Sequence, residues 1–405
     1  MNGRASVCSN GCKLKPRRPA RFPPLQQCQP RCLTLHTVVG KISVNVAYGR
    51  DRQSGKWKCP AREQWGLGPH QKMTPELEDR VCLTATLTGS YEAAAQLSAK
   101  WGSAVDEETL RVHARTVGQR AEKQTQRRLS GGVSDPPPVK VAGVKARPFS
   151  LVIMMDGWLA RQRGTDWGEP TTSSGLERVA WREIKSAVIY RLEQAGQTAG
   201  GRGIIAQKHV VAWQGEPHQF GGRVQAEARR CGLGAARDVF VVADGSLWIW
   251  NIAQDRFGQA QGVLDFYHAS QHLWAVARSL YPTDEAAARA WVEPLLSQLR
   301  HGQEGGVVQT LEDLPAWCAA QNRTTPPEVE REREYFQNHR EHVHYEAMAA
   351  RGCPVGSGAM ESLCSQLQGR FKRCGQFWSP TGMADLLALE VARRNFDWDT
   401  LWSKN

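Results

Sequence analysis

The chain has 405 residues, a formal net charge of +12 and 11 cysteines, a length that accommodates two or three domains with at least one sizeable core. No window of about 18 apolar residues and no charged-then-apolar leader occurs, which argues against a helical membrane protein and a secreted one. The odd, scattered cysteines argue against a disulfide framework, so the expectation is a cytoplasmic protein with reduced thiols and no membrane partner.

The charge is unevenly placed. Residues 1–150 carry 25 Lys and Arg against 11 Asp and Glu, and residues 151–405 carry 27 against 29. The whole excess therefore lies in the first third, as expected of a segment that meets a polyanion, with DNA the leading partner and a solvated basic tail the alternative. Residues 1–33 are rich in Pro, Arg and Cys. Within them Cys8-x3-Cys12 and Cys28-x3-Cys32 stand fifteen residues apart, like the two knuckles of a four-thiolate Zn²⁺ site, although zinc ribbons usually space each pair by two residues. Free thiols are the alternative.

Residues 34–128 read as a DNA-binding region. "LTLHTVVGKISVNVAYG" alternates apolar and polar residues about Gly40, the pattern of a hairpin. "TPELEDRVCLTATLTG" predicts a helix with Thr74 as cap and Pro75 as first residue. Two further helices meet across Gly102, with Ala94, Leu97 and Trp101 on one face of the first and Leu110 and Val117 on one face of the second. That is helix-turn-helix spacing, and the second helix would present Arg111, Arg115 and Arg120 to phosphates or base edges. Residues 129–148, with a triple proline, read as a linker.

From Phe149 the texture changes. Apolar runs at 149–155, 184–190, 204–213 and 239–243, with a helix from "PHQFGGRVQAEARRCGLG" before the last, open an α/β domain with a mixed sheet. Two of these runs end in Asp-Gly, at Asp156 and Asp244. Asp and Gly commonly just terminate strands. If the two strands are parallel neighbours, however, both carboxylates emerge at the sheet edge where ligands gather.

Two close carboxylates repel each other unless a cation or shared proton intervenes, and a hard cation such as Mg²⁺ or Mn²⁺ suits them. With a third acid, two such ions serve phosphoryl displacement. "GCPVGSGAMESLCSQLQGRFKRCGQFWS" offers Glu361 in the first turn of a helix over 359–371, where it could equally be a dipole-complementing residue. Arg370, Lys372, Arg373 and Trp378 follow it, a basic, aromatic-tipped segment suited to DNA passing along the helix. In "GVLDFYHASQHLW" a strand ends at Asp265, with His268 and His272 beyond it. The His pair has the i, i+4 spacing of zinc ligands but lacks a third, and Asp265 with His268 is read as shaping the site.

Together "MMDGW", "VADGSLWIWN", "LDFYHASQHLW" and "PVGSGAMES" resemble a bacterial insertion-sequence transposase of the DDE class, most closely the ISKra group, related to the Mutator-like transposases. The likeness runs over about residues 34–402, and the D-x-x-H from Asp265 to His268 is a mark of that larger group. It implies a ribonuclease-H-like catalytic core over 149–280, a helical insertion over 281–350 and a C-terminal part of the core over 351–405. It also implies a basic hairpin and helix-turn-helix region ahead of the core, catalytic Asp156, Asp244 and Glu361 holding two Mg²⁺ or Mn²⁺ ions, and a homo-oligomer assembled on DNA in a bacterial nucleoid. One departure is Cys59, alone where such proteins often carry paired cysteines after the second strand. The alternatives are a metal-dependent nuclease of the same fold and a catalytically silent DNA-binding descendant.

Overall fold

The computed structural model describes residues 25–131, 148–168 and 177–402. They form two compact units, one of 25–79 with 99–104 and the other of 80–98 with 105–402. Among the described residues no helix is long and apolar enough to cross a membrane, and the nine cysteines are free thiols.

The smaller unit is built on the hairpin. Strands β1 (Leu25–Thr37) and β2 (Gly40–Asp51) pair antiparallel with Thr37 opposite Gly40, and the short β3 (Trp57–Lys58) joins the other edge of β2. The hairpin turn falls where the alternation breaks at Gly40, as expected. β1 begins earlier than expected, so the boundary at residue 33 is corrected: pairing with Arg50 and Asp51 continues the strand back to Leu25 and makes Cys28 and Cys32 exposed strand residues. Cys8 and Cys12 lie outside the described residues. Helix α1 (Pro60–Gln64) follows, and a main-chain bond from His36 to Lys72 closes the unit over buried Leu35, Val46, Leu67 and Met73.

Three helices come next: α2 (Pro75–Leu87), α3 (Tyr91–Lys100) and α4 (Glu107–Ser130). The larger unit is a mixed α/β structure. Its five-stranded sheet takes β4 (Ser150–Arg163), β5 (Val179–Arg191), β8 (His209–Trp213), β9 (Asp238–Ala243) and β10 (Gln261–Leu264), in the spatial order β10-β9-β4-β5-β8. A two-stranded ribbon of β6 (Ala195–Gln197) and β7 (Gly203–Ile205) splits the apolar run at 204–213. β4, β5 and β8 run antiparallel to one another, whereas β9 and β10 run parallel to β4.

Each sheet face is covered, which is why the central strands are apolar throughout. On one face, Leu151, Ile153 and Met155 pack against α5 (Pro217–Arg230) and α6 (Leu247–Arg256) through Phe220, Val224, Ile249 and Ile252. On the other, Trp158 meets Phe371 of α12 (Gly358–Phe371), and Gln162 reaches Met383 of α13 (Pro380–Arg394). Helix α7 (Phe266–Leu280) follows β10, and α8 (Glu285–Arg300), α9 (Glu304–Ala320), α10 (Pro327–Asn338) and α11 (Tyr345–Ala350) make the expected helical stretch before α12.

α4 does not stand free as a recognition helix. It buries Leu110, Ala114, Val117 and Ala121, and its Gly118 lies so close to α13 that an added Cβ would be 2.2 Å from the Asp385 carbonyl oxygen. Alanine there gains up to about 1 kcal/mol of helix propensity, but that contact forces the helices apart. Gly118→Ala is expected to lower stability by roughly 2 kcal/mol or more, read as a reduced denaturation midpoint.

The helical stretch is pinned to the sheet by an aromatic cluster. His342 stacks on Trp250 of α6 at 4.0 Å and 6°. Burial pushes the His342 imidazole down to about 4, below its ordinary 6.5, with His339 acting in the same direction. In that window the unfolded chain binds the proton that the folded chain refuses, so stability falls as pH drops from 6.5 towards about 4. Urea midpoints across that range should show this loss, and His342→Phe, which keeps the stacking face, should reduce it.

Candidate active site

The site begins with strand register. β4 and β9 are parallel neighbours with Met155 opposite Ala243, so Asp156 and Asp244, the next residue of each, leave the same end of the pair. The reading of Asp156 as a strand terminator is corrected: β4 continues to Arg163 because β5 pairs with it from Leu151 through Arg163, placing Ser186 opposite Asp156. Asp244 does end its strand, and its Oδ1 accepts the Ser246 N–H at 2.9 Å.

Asp156 is half-buried, and its carboxyl is held above the usual aspartate range, first by burial and then by the charge of Asp244. The Gly157 N–H, donating to Oδ1 at 2.6 Å, works the other way, as do the Cys364 thiol and the charge of His268. His268 thus lies close enough to act on Asp156. His272 is engaged with α10: its Nδ1 is bound to Glu332, and its ring stacks on Tyr335 at 3.7 Å.

Glu361 is exposed in the first turn of α12, one helical turn before Cys364, whose Sγ lies 3.5 Å from Asp156 Oδ2. The helix bearing Glu361 is therefore against the strand bearing Asp156. Among the described residues no three His, Cys, Asp or Glu side chains stand close enough together to hold a metal ion. The acids form a close pair with the third on the adjacent helix. The donor chemistry fits a hard divalent cation, because the pair offers carboxylate oxygens at one edge and one of them is destabilised by its neighbour's charge.

Asp265 is the tie that holds this arrangement. It is fully buried, and its N–H donates to the Ala243 carbonyl at 2.7 Å. Its Oδ1 caps α7 by accepting the His268 N–H at 2.9 Å, and its Oδ2 accepts the Ser357 N–H in the turn that starts α12. One carboxylate thus binds the end of β9, the start of α7 and the helix of Glu361. Asp265→Ala leaves two buried N–H groups without acceptors and should cost about 2–4 kcal/mol, with Asp265→Asn, which retains one acceptor, falling between it and the native protein in a denaturant titration.

The expected DNA-contacting residues divide. Arg370 is buried, donates to the carbonyls of Ala85 and Gly89, and is lowered by burial to about 10. Trp378 is buried with its indole N–H on the Phe371 carbonyl. Neither is presented to DNA, and that expectation is corrected: both hold α12 in place. Arg115 pairs with Asp385 at 3.4 Å, and Arg120 donates to the Leu401 carbonyl and lies over Trp402, so these two also turn toward the C-terminal helix. Arg111 is partly exposed and paired with Glu108. Lys372 and Arg373 are exposed as expected.

Sequence reasoning missed three features. Cys364 could have been found by its i+3 spacing from Glu361. Tyr335 fills the space beside Asp244, where a Cβ on Gly245 would be 2.3 Å from its ring, and nothing in "PEVEREREYFQN" marks it. Beyond Asp156, Arg161 and Lys372 both lie over the half-exposed Trp181, an indole shared between two cations.

No protein-family model matches the chain, and no curated protein matches it. Among solved structures it is similar to one described as "Drosophila P element transposase strand transfer complex", with 11% identity over 85% of this chain and 82% of that one and a TM-score of 0.24. A likeness that distant carries no argument about what this chain does.

Proposed function

We propose that the protein is a DDE-class DNA transposase of the insertion-sequence type, acting from a ribonuclease-H-like core. The observation that carries the reading is the parallel register of β4 and β9, which sets Asp156 and Asp244 side by side at one sheet edge. Three further features support it. Three antiparallel strands followed by a helix and two strands parallel to the first is the strand order such a core requires. A helical stretch separates Asp244 from Glu361, as in the ISKra-like proteins that the motifs resemble. The N-terminal third carries the positive excess that DNA binding needs.

In this reading Asp156, Asp244 and Glu361 would hold two Mg²⁺ or Mn²⁺ ions. When bound, the ions supply activation of an attacking oxygen and stabilisation of a leaving oxygen in an in-line displacement. Asp244 and Asp156 would bind and orient from the sheet, and Glu361 would approach them from α12, whose position Asp265 secures. The reaction has two displacements: water attacks the phosphodiester at an element end and frees a 3′-OH, and that hydroxyl then attacks a phosphodiester of target DNA, releasing the target's own 3′ oxygen. Both proceed without a covalent enzyme intermediate. Joining two ends requires two active sites, hence a homo-oligomer on DNA, and Lys372, Arg373 and Arg161 beside the strand of Asp156 are suited to the phosphate backbone.

The test is incubation with Mg²⁺ and labelled DNA from the ends flanking the protein's own gene. The native protein should give cleaved and joined products. Asp156→Asn, Asp244→Asn and Glu361→Gln should each lower product by at least about a thousandfold, the scale on which phosphoryl-transfer catalysis depends on charge stabilisation, while still binding the DNA. Cleavage without joining would replace the transposase reading with a nuclease. Salt-sensitive binding with no metal-dependent product from any of the four proteins would leave a DNA-binding protein without catalysis.

A further inference from the structure

The smaller unit contains a cleft that the proposed chemistry does not use. Register puts Arg31 opposite Val46, and Trp57 opposite Arg50, on the face of the sheet that carries Tyr48. On that face a cleft of about 500 Å³ opens between the sheet and residues 59–70. Its apolar lining includes the buried side chains of Val46, Cys59 and Leu67. Tyr48 and Trp57 form a stacked pair, with centroids 5.3 Å apart and planes 13° apart. The Arg31 guanidinium also lies over Tyr48, at 4.6 Å.

Two facts make this more than a packed corner. Trp57 keeps 49% of its surface exposed, although it lines a cleft with an apolar wall. The charged lining is also one-sided, with Arg31, Lys58 and Arg62 against Glu63 alone. Arg62 is occupied in holding the lip, donating to the carbonyls of Gly68 and Gln71, and Lys58 pairs with Asp51 at 3.2 Å. Arg31 makes no ion pair among the described residues and is the cation left for an anionic ligand.

We propose that this cleft captures one unpaired nucleobase of DNA, stacked on the open face of Trp57, with Arg31 meeting a phosphate of the same strand. The inference rests on the DNA-processing role proposed above and adds to it a preference for unpaired ends. The chemistry selects this occupant. A ring pair with an open indole extends by adding a third planar ring, and every base offers one regardless of sequence. In a duplex pairing and stacking hold each base in the helix, so only an unpaired base can enter the cleft. The volume suits a single nucleotide and not a duplex. An apolar peptide would fill the lining equally well but would leave Arg31 without an anionic partner.

The experiment uses the full-length protein in a chelator, so that no cleavage runs, and measures fluorescence anisotropy with three DNAs. These are a blunt duplex, the same duplex with a short single-stranded tail, and that tailed duplex with abasic residues in the tail. The native protein should bind the tailed duplex at least about fivefold more tightly than the blunt one, with the abasic tail back at the blunt level. Trp57→Ala should abolish the preference, Trp57→Phe should retain part of it, and Arg31→Ala should weaken tailed-duplex binding and flatten its salt dependence. The inference is overturned if tailed and blunt DNA bind alike, if the abasic tail serves as well as the natural one, or if Trp57→Ala keeps the preference. The abasic comparison uses the native protein, so it decides the matter even if a variant misfolds. Equal binding to all three DNAs beside normal metal-dependent products would sink this inference alone; binding to none would sink it together with the DNA-processing role.

Discussion

Met155 sits opposite Ala243 in the parallel pairing of β4 with β9, and the residue after each is an aspartate. A shift of one residue would send one side chain to the other face of the sheet. With the register as it is, two carboxylates meet where burial and mutual repulsion raise the free energy of the charged pair, and Asp156 shows the effect in its raised pKa. The surroundings offset part of this cost through the Gly157 N–H, the Cys364 thiol and His268. A hard divalent cation beside the pair would offset the remainder.

Parallel neighbours need long connections, and the segments around this pair have been put to use. The chain between β4 and β9 supplies β5, β8 and α5, which close the sheet on one side and cover one face. The chain beyond β10 supplies the helices that return as α12. Asp265 stands where these paths converge, and its carboxylate satisfies N–H groups from α7 and from the turn before α12. A buried carboxylate costs several kcal/mol unless its oxygens are fully bonded, so once in place it strongly disfavours drift of α12 away from the sheet. The exposed Glu361 is thereby carried on a firmly anchored helix.

The basic residues show how charge divides between architecture and ligand. Arg115, Arg120 and Arg370 look alike in sequence to Lys372 and Arg373, yet the first three bind Asp385, the Leu401 carbonyl and the carbonyls of Ala85 and Gly89. Arginine's planar fork satisfies several carbonyls or carboxylates at once and is the cation best suited to partly buried bracing. Some cations nearer the surface lie over aromatic rings: Arg161 and Lys372 over Trp181, and Arg31 over Tyr48. These pairings combine charge with a flat apolar surface, the combination that nucleic acid rewards.

What the sequence alone determined was whatever local period and local chemistry encode. The hairpin about Gly40, the helices from Pro75 to Ser130, the apolar strands, the helical stretch before α12 and the Asp-Gly end of β9 could all be read from alternation, caps and turn residues. Glu361 in the first turn of a helix and Asp265 at a strand end were legible as candidate acids too, and the four ordered motifs gathered them into one set. Only the tertiary structure decided which partners those elements found. β4 runs on past Asp156 because β5 pairs with it, α4 lies along α13 because Gly118 permits close approach, and Trp378 turns inward to the Phe371 carbonyl. Cys364 and Tyr335 reach the acids by packing across long stretches of chain. Periodicity states that a face is apolar or a residue charged, but the partner is chosen by long-range shape, register and hydrogen-bond satisfaction, which no local window contains.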